Sequence, residues 1–155
     1  MPSDKPSILK FIEELKANPV SQTYDSLELI EPKLKSIQSF LHYLPSALYV
    51  LDYSTGKYLF FSESVKKMCG FSSNEIIENG ISWVVKRVHP ADTAVYSQAV
   101  FQRFLAYASE VEEHELPNTR FSYNWRFKKK NGKYIHVLQQ YFILQRNEHK
   151  QPLLS

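Results

Sequence analysis

Apolar residues recur along this chain with two different periods, and each period predicts a different kind of element. Between Ser7 and Ala17, Ile8, Phe11, Ile12 and Leu15 fall at successive steps of three, one and three. That spacing predicts a short amphipathic helix with Ser7 as its cap. Asn18-Pro19 ends it, because a residue before proline is pushed out of the helical region. Further on, Leu27, Ile30, Leu34, Ile37, Leu41 and Leu44 alternate steps of three and four, the spacing of a coiled-coil seam. Pro32 suits a first helical turn, so a second helix is expected from Pro32 to Tyr43. Its apolar stripe (Leu34, Ile37, Leu41, Leu44) has two readings of equal weight: a helix laid over its own domain, or the seam of a homodimer.

Leu44-Pro45 breaks that helix and the period changes to two. The run "ALYVLDYSTGKYLFFS" predicts a hairpin whose turn contains Ser54, Thr55 and Gly56. Three helical pieces are expected next. The first runs from Ser62 to Cys69 and stops at Gly70; the second, from Ser73 to Glu78, is capped by Ser73 and ends near Gly80. The third runs from Asp92 to Ser109, with Asp92 as N-cap and Val95, Ala99, Val100 and Phe104 on one side. In "RFSYNWRFK", Phe121, Tyr123, Trp125 and Phe127 alternate with polar residues, so one face is buried and one solvated. Asn131-Gly132 closes a tight turn, and "KYIHVLQQYFIL" is the returning strand. The chain therefore reads as α+β, with a helical extension over residues 1–43 and a domain over residues 44–155.

Composition changes this picture little. At 155 residues, 43% hydrophobic and 23% charged, the chain fits one globular domain, and its ten Tyr, ten Phe and two Trp offer many walls for a pocket. Net charge is +3, too small to imply a polyanion partner, and Lys128, Lys129 and Lys130 would account for that excess alone. Those lysines flank the Asn-Gly turn of a hairpin, where exposed charge is the rule and discourages edge pairing. They are read as a turn, with no nucleic acid bound by this region. The N-terminus lacks the apolar core of a signal peptide, and no stretch approaches the roughly 20 apolar residues of a membrane span. With the single cysteine, Cys69, this points to a reducing, cytoplasmic setting.

Several chemistries find no support. His42, His89, His114, His136 and His149 are scattered and Cys69 has no near partner, so no metal site is expected. Glycine-rich phosphate loops and the G-x-S-x-G elbow are missing. Glu112-Glu113 sits in "SEVEEHELPN", which reads as a solvated loop. The chain is expected not to be an enzyme.

The order of elements and several short segments resemble a PAS domain. "LYVLDYSTGKYLFFSESVKKMCGFS" is similar to the family's opening, with Asp52 ending the first strand, Gly56 in the turn and a short helix closed by Gly70 before Phe71. "VHPADT" is similar to the His-Pro-x-Asp segment of one large PAS subgroup, and "YNWRFKKKNGKYIHV" to the closing hairpin, with Arg126 and Gly132 in place. The chain departs from the pattern at Ser62-Glu63-Ser64, where many members have Asn. The resemblance implies an antiparallel five-stranded sheet with short helices on one face. Its central fifth strand would begin only near "QPLLS", so that strand is expected to be truncated and the parent protein to continue past Ser155.

It also implies a sensory or interaction module, dimerising through flanking helices and signalling to an attached output domain. Flavin photochemistry would need a reactive Cys in an Asn-Cys-Arg motif, whereas Cys69 lies earlier, in "KKMCGFS". Haem would need a His in the long helix, and "DTAVYSQAVFQRFLAYAS" has none. The residues argue against both, leaving an apolar or aromatic small molecule, or no ligand. Candidate pocket walls are Tyr49, Phe60, Trp83, Phe121, Tyr123 and Trp125, with Gln139 or Gln140 and His136 as polar groups to orient a ligand. The layout resembles the sensor half of LuxR-type transcriptional regulators. The alternatives are a ligand-free protein–protein interaction module and the sensor region of a histidine kinase.

Overall fold

A computed structural model describes residues 5–18, 32–34, 36–38, 40–41 and 43–155. Leu27 and Ile30 of the expected seam lie outside the described residues. Helix α1 spans Ser7–Ala17 and buries Ile8, Phe11, Ile12 and Leu15, the four residues its spacing selected. Ser7 is not the cap: the helix starts at Ser7, with Pro6 in the cap position. The buried face is not left for a partner. The Phe11 ring meets Tyr53 and Phe101 edge-on at 5.9 and 5.7 Å, so α1 belongs to the core of the domain that follows.

Residues 32–34, 36–38 and 40–41 are helical. Leu41 is buried and Leu34 half-buried, whereas Ile37 and Leu44 are exposed, so the four apolar positions do not share one environment.

Strands β1 (Tyr49–Asp52) and β2 (Lys57–Phe61) form the first hairpin. Asp52 is almost fully buried at its turn. Its carboxylate accepts the Ser54 N–H at 2.8 Å and the Ser54 and Thr55 hydroxyls at 2.6 and 2.7 Å. An aspartate that bonds the backbone two residues on fixes the turn locally. Ser62 and Ser64 are both buried and share a hydroxyl contact of 2.8 Å, and Ser62 Oγ also accepts the Leu48 N–H at 2.8 Å.

Helix α2 (Val65–Cys69) ends at Gly70, whose φ of 84° is the left-handed closure expected there. Helix α3 spans Ser73–Val85 with a kink at Gly80 and corrects one expectation. Ser72, not Ser73, is the cap, forming a reciprocal box with Glu75. Gly80 (φ 67°, ψ −171°) leaves helical geometry, so the first piece ends there as expected, and a second helical piece follows to Val85.

The long helix begins earlier than expected. α4 (Pro90–Val95) has His89 as N-cap, its Nδ1 accepting the Ala91 N–H at 3.3 Å, so Asp92 is freed from capping. A π-helical turn, Tyr96–Val100, then leads into α5 (Phe101–Glu110). That turn explains why Val95 and Ala99 are exposed while Tyr96, Phe101, Phe104 and Ala108 are buried. Tyr96 and Phe101 are five residues apart, and only a wider turn sets such a pair on one face. "SEVEEHELPN" is likewise no open loop: Glu113–Asn118 forms a 3-10 turn that buries Leu116.

Strands β3 (Phe121–Lys128) and β4 (Tyr134–Tyr141) pair along their full length, Phe121 against Tyr141 and Lys128 against Tyr134. Gly132 (φ 85°) supplies the positive φ of the turn. After Tyr141 the return strand changes partner. Leu144 donates to Leu154, and β5 (Gln145–Arg146) pairs with β6 (Pro152–Leu154). The larger sheet has the order β2-β1-β6-β5, with β3-β4 as a second ribbon. The expected fifth strand is therefore present as β6, starting within "QPLLS" and placed between β1 and β5. The expected single sheet of five is divided because one return strand serves both ribbons. None of the helices among the described residues is long and apolar enough to cross a membrane.

Candidate functional site

Inside the domain, side chains from α1, both hairpins, α3 and the π turn close around a small cavity of about 20 Å³. Six of its wall residues are tyrosines: Tyr49, Tyr53, Tyr58, Tyr96, Tyr123 and Tyr141. Each reaches the space for a local reason. Tyr49 lies on β1, and Tyr58 faces inward beside Phe61 because β2 carries a bulge opposite Val50 and Leu51. Tyr96 is delivered by the π turn, its ring 5.0 Å from Tyr123 and 6.1 Å from Trp125. Tyr123 and Tyr141 are on the inward face of β3 and β4.

The phenols are joined to other polar groups. Gln139 Nε2 donates to the Tyr49 hydroxyl, Ser155 Oγ meets the Tyr53 hydroxyl at 3.2 Å, and the Tyr96 and Tyr123 side chains are hydrogen-bonded. Burial pushes the Tyr53 phenol up to about 12 and raises Tyr49, Tyr58, Tyr96, Tyr123 and Tyr141 as well, since a phenolate there would lose its water. All six stay protonated at neutral pH and can each donate or accept a hydrogen bond. Among the described residues lining this cavity, none carries a charge.

A larger groove of about 320 Å³ adjoins it. β6 lies beside β1 at Leu51 and Asp52; further along, the groove opens between residues 45–49 and strand β4. Its walls include Phe61, Val65, Ile76, Val84 and Phe127, and the Tyr49 and Phe61 rings stack at 5.5 Å. Tyr49, Tyr58, Trp125 and Gln139 line both spaces.

The structure thus gathers Tyr49, Tyr123, Trp125 and Gln139 from the sequence-derived set and separates the others. Phe60 is half-buried away from both spaces, because the β2 bulge gives its expected place to Phe61. Trp83 lies outside them too, packed edge-on against Phe71 at 4.8 Å with the Arg87 guanidinium 3.2 Å over its ring. His136 and Gln140 are exposed and reach only the outer groove, from the solvated face of β4, while Gln139 is the inward amide. Phe121 packs on Tyr141 and Phe104 instead of lining a cavity. Tyr53, Tyr58, Phe61, Tyr96 and Tyr141 were not selected from the sequence. Alternation alone marks Tyr141 as sharing a face with Gln139; a bulge and a π turn hide the inward direction of Tyr58, Phe61 and Tyr96. Among the described residues, no group of three His, Cys, Asp or Glu is placed to hold a metal ion.

A sheet backed by short helices, with an aromatic cavity between them, is the architecture of the PAS fold. The PAS fold family matches residues 58–154, and the chain belongs to it. Among solved structures, it is similar to the N-terminal domain of a diguanylate cyclase with PAS/PAC sensor from Marinobacter aquaeolei. The two share 14% identity over 70% of this chain and 88% of that one, with a TM-score of 0.47. No curated protein matches the chain.

Proposed function

We propose that this PAS domain senses a small, largely apolar molecule in the aromatic interior between its sheet and its helices. Binding would be relayed through rearrangement of a homodimer to an output domain. The observation supporting this reading is the aromatic interior itself: six tyrosines, Trp125 and Gln139 gather around one cavity between the sheet and the helices. Its aromatic walls supply contact area, and Gln139 with the phenols supplies orientation. The reading keeps the chain a cytoplasmic sensor of the His-Pro-x-Asp subgroup and not an enzyme. Haem and flavin stay disfavoured for the lack of the residues they require. The output proposed is that of a LuxR-type transcriptional regulator, a choice carried by the layout of helix followed by sensor.

Native mass spectrometry with an absorbance spectrum on the same sample tests this. The expected result is a dimer carrying a small co-purified mass and no visible absorbance. A chain that stays bare when challenged with aromatic compounds would overturn ligand sensing, and visible absorbance would overturn the exclusion of haem and flavin.

A second reading is favoured by one observation. The groove is bounded by the edges of two strands, β1 and β4, so an extended peptide could pair into it as an added strand. In that case the module docks a protein segment, and small aromatic compounds would not bind.

A further inference from the structure

We propose that the open cleft between helix α2 and the tip of the β3–β4 hairpin binds a compact phosphorylated small molecule through its phosphate groups. This second site is separate from the aromatic interior and does not depend on the ligand-sensing reading.

The cleft measures about 420 Å³. Lys66 and Lys67 from α2 and Lys129 and Lys130 from the hairpin line it, together with Gly70 and Asn131. The two segments are far apart in sequence and are locked together. Lys130 N–H donates to the Cys69 carbonyl at 2.9 Å, and Lys129 N–H donates to the Lys133 carbonyl at 2.9 Å to close the hairpin. Gly70 permits this approach, since a Cβ there would stand 3.1 Å from the Lys130 Cβ. Four like charges are thereby held around one space, and among the described residues lining it none is acidic. Glu75 reaches Lys130 Nζ at 2.6 Å from outside that lining. Gathering like charges works against the compact state through their repulsion, and a bound anion removes that cost. The turn does not require the cluster, because Gly132 supplies its positive φ.

The neighbouring rings decide the kind of anion. A nucleic-acid strand needs open aromatic faces on which to stack its bases. Phe71, next to Gly70, has Lys130 Nζ at 5.7 Å and the Arg87 guanidinium at 5.1 Å from its ring centre. Trp83 carries the same guanidinium at 3.2 Å. With cations already on those rings, the cleft recognises charge alone. Lysines converging from two segments suit several anionic oxygens held close together, as in a di- or triphosphate.

The chain has four glycines, and they supply the readout. Gly70 lines the cleft and Gly132 follows Asn131, whereas Gly56 and Gly80 pack against each other elsewhere and serve as controls. Their backbone amide resonances are followed at pH 7 and about 0.15 M salt, where weak surface attraction is screened. The probes are sodium pyrophosphate, inorganic phosphate, a hexaglutamate peptide and a thymidine hexanucleotide. Pyrophosphate is expected to shift Gly70 and Gly132 saturably and to bind about tenfold more tightly than phosphate, with Gly56 and Gly80 unmoved. Lys66→Gln combined with Lys129→Gln should weaken pyrophosphate about tenfold, the control glycines reporting an intact fold. Shifts that do not saturate, that move all four glycines alike or that favour phosphate equally mean an adventitious ion only and overturn the proposal. Unchanged affinity in the double variant overturns it as well. Tightest binding by the peptide or the oligonucleotide overturns it too, and assigns the cleft to an acidic protein segment or a single strand.

Discussion

Arg126 grips Asp92 from two directions. Its guanidinium donates to Asp92 Oδ2 at 3.0 Å and Oδ1 at 2.6 Å, and its backbone N–H reaches Oδ2 at 2.7 Å. Nearby, His89 N–H donates to the Arg126 carbonyl at 2.9 Å, so the start of the long helix is tied to the middle of β3. His89 takes over the capping role that sequence reasoning gave to Asp92, and this frees the carboxylate for the cross-link.

The hydrogen bonds from Arg126 hold the Asp92 carboxyl down at about 2, below the ~3.9 of an unfolded aspartate. A depressed carboxylate contributes its full stability above the unfolded value and loses it as pH falls toward the folded one. Asp92→Asn should therefore unfold at lower urea than the parent protein at pH 6–7. The gap should close progressively between about pH 4 and pH 2. Urea titrations of both proteins across that range check it, and a gap that stays constant with pH would contradict a carboxylate held down by Arg126.

Gly80 and Gly132 share a positive φ yet face different surroundings. A Cβ on Gly80 would stand 2.9 Å from the Gly56 carbonyl oxygen, which already accepts the Ile81 N–H at 3.1 Å, while nothing lies within 4 Å of one on Gly132. Gly132→Ala should cost about 1 kcal/mol, for the backbone alone. Gly80→Ala adds a backbone collision between two packed segments and should cost about 3 kcal/mol or more. Urea denaturation of the two variants gives the comparison, with equal losses as the contrary result.

Much of this fold can be read from alternation and turn chemistry. The buried face of α1, both hairpins and the closure at Gly70 follow from residues close in sequence, which carry their own spacing and dihedral preferences. What escapes such reading is every place where one residue is inserted into a regular element. The β2 bulge exchanges Phe60 for Phe61, and the π turn exchanges Val95 and Ala99 for Tyr96. Both insertions are stabilised by contacts distant in sequence, such as Tyr49 on Phe61 and Tyr96 on Tyr123, and periodicity has no access to these. The candidate site is legible only in part for the same reason: the phenols that close it come from six positions between residues 49 and 141.

The π turn yields a test by deletion. Removing the exposed Gln98 would bring Tyr96 and Phe101 to the four-residue spacing of an ordinary α-helix, keeping both on the buried face. Removing the exposed Arg103 would leave Phe101 and Phe104 two apart and turn one of them to solvent, at a cost of about 3–5 kcal/mol. The Gln98 deletion should retain the near-UV circular dichroism of a packed aromatic core, and the Arg103 deletion should lose it. Loss of the signal in both would mean that the wider turn is itself indispensable.

Leu41 turns into the protein at 8% exposure, whereas its neighbours Phe40 and Tyr43 stand 64% and 84% exposed, with Leu44 also open. If this segment joins two copies of the chain, the contact is made by Phe40, Tyr43 and Leu44, with Leu41 serving its own domain. Phe40→Ser combined with Leu44→Ser should then weaken dimerisation by about tenfold or more, the effect of losing one or two apolar anchors, with the melting temperature almost unmoved. Leu41→Ser should do the reverse. It opens a cavity and buries a hydroxyl, lowering stability by about 2–4 kcal/mol with little direct effect on association. Sedimentation velocity over a concentration series, paired with thermal unfolding, separates the two. A parent protein that remains monomeric at every concentration would remove the dimer from the proposed mechanism, and the signal would then have to pass through the domain alone.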